Sequence, residues 1–126
     1  SWGRVMTKRI LIVDDEEDIT ELITDLIQAE VEVDIDTAVN GVDALALAKN
    51  SKYDLIITDQ KMPLMTGKNL INEIKLQKTI NNTTPIILNS AFLSEIEEDE
   101  NLEGVEIVDK SIDIKKLIES VTNFLS

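Results

Sequence analysis

The chain has 126 residues, enough for one domain with one hydrophobic core and too few for two ordinary ones. Its 12 Lys and Arg against 25 Asp and Glu give a formal charge of −13, which makes phosphate backbones and anionic lipid poor partners. It contains no cysteine and no histidine, so disulfides, thiolate or imidazole chemistry and zinc–sulfur sites are excluded, leaving carboxylates, hydroxyls, lysines and a hard metal ion.

Residues 1–6 read as an N-terminal tail, in which 1–5 fit a vector-derived extension or an alternative start ahead of Met6, and 7–126 as a single domain. No run approaches the roughly 20 apolar residues of a membrane span, and the start lacks a signal-peptide layout, so a cytoplasmic protein is expected. Lys8 to Val13 (KRILIV) is nearly continuous apolar, which predicts a strand covered on both faces. Ile19, Leu22, Ile23, Leu26 and Ile27 then follow the spacing of one helix face, with Glu16, Glu17 and Asp18 where the helix dipole favours acids.

Residues 31–39 (VEVDIDTAV) alternate like a strand near an edge, and Asn40-Gly41 breaks the chain before a helix over 42–50. Residues 53–58 (YDLIIT) predict a buried strand ending at Asp59, followed by a Pro- and Gly-containing loop, 60–67, and a helix over 67–78. The polar loop NNTT (81–84) precedes a fourth strand, PIILNSA (85–91), opened by Pro85 where proline is tolerated. A short acidic helix is expected over 94–103 and a fifth strand over 105–109 (VEIVD). A last helix over 113–125 carries Ile114, Leu117, Ile118, Val121, Phe124 and Leu125 on one face. Five strands alternating with five helices predict an α/β domain with a parallel sheet covered on both sides.

In such a sheet, ligands bind beyond the carboxyl ends of the strands. Asp14 and Asp15 follow the first strand and Asp59 ends the third. If those strands are neighbours, three carboxylates converge and need a cation to stay ionised together. Oxygen-only ligands point to Mg²⁺. The simpler alternative is that Asp14 and Asp15 cap the first helix. Ser90 and Lys110 end the fourth and fifth strands, where a hydroxyl and an ammonium would hold phosphoryl oxygens.

The segments ILIVDDEED (10–18), LIITDQKMPLMTG (55–67), PIILNSA (85–91) and VEIVDKS (105–111) resemble the receiver domain of two-component response regulators, a likeness running from about Lys8 to the C-terminus. The resemblance implies a flavodoxin-like (βα)5 fold, doubly wound, with strand order 2-1-3-4-5. It makes Asp59 the phosphoryl acceptor, supplied by a phosphohistidine on a sensor histidine kinase or phosphotransfer protein. It also implies that Asp15 and Asp59 bind Mg²⁺ directly, Asp14 through water, and Lys61 by its backbone carbonyl, while Ser90 and Lys110 bond phosphoryl oxygens. A downstream protein would dock over residues 94–125, and a homodimer is compatible with the pattern. The domain would catalyse its own modification without being a turnover enzyme.

Four positions depart from the family pattern. Thr66 stands where an aspartate commonly precedes Gly67, and Ile107 where many members carry Tyr or Phe. Ser111 replaces the proline that usually follows the lysine, and Lys61 sits close to where attacking water would approach. The competing expectation is a receiver-fold interaction module that works without phosphorylation. A Mg²⁺-dependent aspartate hydrolase fits poorly, because the chain lacks a D-x-D pair after the first strand and a cap insertion. A single-domain regulator and a piece of a longer regulator or hybrid kinase both fit the pattern.

Overall fold

Alternating β and α segments give five parallel strands in the order β2-β1-β3-β4-β5 in the computed structural model, which describes residues 7–77, 79–91, 102–110 and 114–126. The strands are β1 (Lys8–Val13), β2 (Val33–Ala38), β3 (Leu55–Asp59), β4 (Ile86–Ser90) and β5 (Glu106–Asp109). Four helices lie among the described residues: α1 (Glu17–Glu30), α2 (Gly41–Asn50), α3 (Gly67–Leu76) and α4 (Ile114–Leu125). Of the short helix expected over 94–103, residues 94–101 lie outside the described residues, as does Ser111. Among the described residues, no helix is long and apolar enough to cross a membrane.

Strand alternation divides the core into two layers. Ile10, Ile12, Leu55, Ile57, Ile87 and Val108 face α1 and α4, where they meet Ile23, Ile27, Leu117 and Val121. Leu11, Val13, Ile56, Ile86 and Leu88 face α2 and α3, where they meet Ala44, Ala48, Leu70 and Ile74. Burying both faces explains why β1, β3 and β4 read as continuous apolar runs. Each fully buried Ile or Leu contributes about 1.5–3 kcal/mol. On α1 the buried stripe runs through Thr20, Ile23 and Ile27, so Leu22 turns outward and is exposed, as is Phe124 on α4.

The amino ends of the strands are tied by a side chain rather than by more core. Asn81, in the loop between α3 and β4, is fully buried. Its Nδ2 donates to the carbonyls of Ala48 and Ser51, and its Oδ1 accepts from the Tyr53 N–H and the Thr84 hydroxyl. One amide thereby joins the end of α2, the start of β3 and the start of β4.

Candidate functional site

The layer that faces α1 and α4 ends in polar residues. Continuing the alternation of each strand, Ile10 and Ile12 lead to Asp14, Leu55 and Ile57 to Asp59, and Val108 to Lys110. Because β1 pairs with β3, the acids after the two strands meet. Asp14, Asp15 and Asp59 each offer a carboxylate oxygen within 4.8 Å of the others, so the three are positioned to hold a metal ion. Asp14 and Asp59 are only 2% and 8% exposed, whereas Asp15 is open to water. Neither acid is the N-cap of α1: that position is Glu16, which makes no side-chain cap bond, and Asp14 Oδ1 accepts its N–H just ahead of the helix.

Lys110 reaches across β4 into this cluster. Its Nζ lies 2.6 Å from Asp14 Oδ2 and 3.3 Å from Asp59 Oδ2. The other oxygens are also held, Asp14 Oδ1 by the Glu16 N–H and Asp59 Oδ1 by the Gln60 N–H. Ser90 comes from the opposite strand parity but ends β4 beside the acids, and its carbonyl accepts the Lys110 N–H at 2.8 Å. A cleft of about 410 Å³ opens over the group, lined by Asp15, Glu16, Asp59, Lys61, Ser90 and Lys110 among others. Asp14, Asp15, Asp59, Lys61, Ser90 and Lys110 thus lie at one end of the sheet.

Burial pushes the Asp59 carboxyl above its ordinary value; the Asp14 charge adds to this, and Lys110 and the Gln60 N–H offset only part of it. The ionised carboxylate is therefore a burden on the folded, metal-free protein at neutral pH. Replacing Asp59 with Asn is expected to stabilise the protein by about 1–2 kcal/mol at pH ~7. The gain should vanish as pH falls through the raised Asp59 value, because protonation then relieves the same burden in the wild type. Urea denaturation in chelator, at neutral and acidic pH, measures both parts.

Several further residues support Asp59 and the loop that follows it. Gln60 accepts the Gly67 N–H on its carbonyl and the Lys68 N–H on Oε1, clasping the loop to the start of α3. Gly67 is required by close approach: a Cβ there would lie 2.1 Å from the Asp59 carbonyl oxygen. That same oxygen accepts the Thr58 hydroxyl. Thr66 caps α3 by accepting the Asn69 N–H, so the departure from aspartate keeps the capping function. Glu16, expected only as an acid at the start of α1, and Ala91 also line the cleft.

The family pattern described as the response regulator receiver domain matches residues 10–122 of the chain. The chain belongs to the response regulator receiver family. This receiver is 30% identical over 122 residues to the polar-differentiation response regulator DivK of Brucella ovis, covering 95% of this chain and 98% of DivK. It is 38% identical over 68 residues to a response regulator receiver protein of Anaeromyxobacter sp., a match over 54% of this chain but only 28% of that protein. Response regulator TrrA of Thermotoga maritima, solved with Mg²⁺-BeF, is 37% identical to the receiver, with a TM-score of 0.78 and coverage of 94% and 99%. TrrA solved with the histidine kinase ThkA is 39% identical, with a TM-score of 0.79 and coverage of 95% and 100%. The relatives share the receiver fold in its flavodoxin-like form.

Proposed function

We propose that this receiver accepts a phosphoryl group on Asp59 from a phosphohistidine of a sensor histidine kinase or phosphotransfer protein. The observation that carries the reading is Lys110 Nζ bridging Asp14 and Asp59 at the mouth of a cleft that also exposes Asp15. The ThkA–TrrA complex supports a kinase as the partner class. An Asp59 carboxylate oxygen attacks phosphorus, the P–N bond to the imidazole breaks, and an acyl phosphate forms. Burial of Asp59 keeps water away from the nucleophile, and its hydrogen bond from the Gln60 N–H fixes the carboxylate plane.

Lys110 lies where it neutralises charge on the incoming oxygens, and Ser90 borders the space they enter. The all-oxygen donors Asp14, Asp15 and Asp59, with the Lys61 carbonyl, suit Mg²⁺, and the TrrA complex with Mg²⁺-BeF supports that choice. When bound, the ion supplies charge neutralisation and a template for the phosphoryl oxygens. The domain modifies itself in a cytoplasmic relay, is not a turnover enzyme, and changes the surface over residues 94–125 that a downstream protein reads. Ile107, exposed on β5, belongs to that surface.

With acetyl phosphate and Mg²⁺, the wild type is expected to gain one phosphoryl group by intact-mass measurement, and Asp59→Asn none. An inert wild type would favour an interaction module that works without phosphorylation.

A further inference from the structure

One polar side chain in the site layer takes no part in the cluster described above. Asn89 precedes Ser90, is 5% exposed, and continues the alternation of Ile87 toward α1 and α4. Its Cα pairs with Asp59 on one side and Val108 on the other, which puts its amide between the nucleophile's strand and the strand leading to Lys110. No hydrogen bond joins its side chain to any described residue. It borders a cavity of about 80 Å³ that it shares with Asp109 and Lys110, the remaining wall being apolar and including Ile19, Ile23 and Leu117.

Thr24 and Asn72, not Asn89, carry the fully enclosed unpartnered polar atoms among the described residues, so the Asn89 amide faces space that a water can occupy, and native structures satisfy such groups with ordered water. A volume of about 80 Å³ is too small for a nucleotide or a peptide and leaves room for water. An ammonium has three donors. Asp14 and Asp59 take two from Lys110, so one is left for a water.

We propose that this cavity is an internal water site anchored by the Asn89 amide, and that its waters hold the Lys110 ammonium beside Asp59. Asn89 is then a positioning residue for phosphoryl transfer, an assignment that rests on the function proposed above. Ile23 and Leu117 are each 2% exposed and both line this cavity, so long-lived water contacts at their methyl groups report water held there.

The test combines water–methyl NOEs with the rate of acyl phosphate formation from acetyl phosphate. Wild type is expected to give long-lived water NOEs at Ile23 and Leu117. Asn89→Leu should lose them and react at least about threefold more slowly, with Mg²⁺ affinity within about twofold of wild type. Asn89→Ser, which keeps a polar anchor and enlarges the cavity, should retain the NOEs and stay within about twofold of the wild-type rate. Absence of water contacts at both methyl groups in the wild type overturns the water site. An Asn89→Leu protein that reacts at the wild-type rate overturns the positioning role. A wild type that accepts no phosphoryl group overturns the functional reading and the positioning role together, while the NOEs still decide the cavity.

Discussion

Replacing Lys110 with methionine is expected to destabilise the metal-free protein by about 3–5 kcal/mol, because it leaves two buried carboxylates without their cation. Methionine keeps most of the stem and removes the charge, so the loss reports electrostatics rather than packing. Asp14 is the more demanding partner: it is almost fully enclosed and takes the shorter bond, 2.6 Å. Burial lowers the affinity of Lys110 for its proton, but the hydrogen bond to Asp14 and the charges of Asp59 and Asp14 outweigh it, and the net shift is upward. The stability contributed by a raised lysine is present below its unfolded value and is lost as pH rises through the folded one. The Lys110→Met penalty should therefore be steady around neutrality and fade only under strongly alkaline conditions, or in acid as the carboxylates protonate. Saturating Mg²⁺ should restore much of the loss by supplying the missing positive charge. Urea denaturation with and without chelator measures all three parts, and a loss below about 1 kcal/mol would contradict the electrostatic account.

Asn81→Ala is expected to cost about 2–4 kcal/mol although it lies far from the cleft. The change removes the partner of two carbonyls and one N–H in a buried or part-buried region, while the Thr84 hydroxyl keeps the Tyr53 carbonyl and the Lys52 ammonium as partners. Asn81→Asp should be nearly as damaging, because a carboxylate keeps the acceptor and loses both donors. Thermal unfolding of the two variants checks this. Asn82→Ala, one residue along on an exposed position, serves as the comparison and should lie within about 0.5 kcal/mol of wild type.

Asn81 also marks what the sequence conceals. Within NNTT it reads as one more loop residue, since nothing local distinguishes an amide that bridges three segments from one that faces water. The strands are different, because burial on both faces leaves a continuous apolar run that periodicity registers: KRILIV coincides with β1, and YDLIIT overlaps β3, which begins two residues later at Leu55. Helix ends are set by capping geometry as much as by apolar spacing. Thus α1 continues to Glu30, past its last apolar contact, and closes with the Val31 N–H on the Ile27 carbonyl. In the site, Asp14, Asp15, Asp59, Ser90 and Lys110 were legible because acids, a hydroxyl and a lysine at strand ends break the apolar pattern. Gln60, Thr58 and Asn89 were not, since their importance lies in which backbone or cavity they meet.

The central claim is that Asp59 itself becomes the acyl phosphate, and chemical trapping tests it most directly. Borohydride reduces an aspartyl phosphate to homoserine, and trypsin cleavage after Lys52 and Lys61 releases residues 53–61, which hold both Asp54 and Asp59. After incubation with acetyl phosphate and Mg²⁺, fragment sequencing by mass spectrometry should find homoserine at position 59. Asp54 should be unchanged, as should Asp14 and Asp15 in the peptide 10–49. Homoserine at any of those other positions, or at none while the protein binds Mg²⁺, would contradict the account.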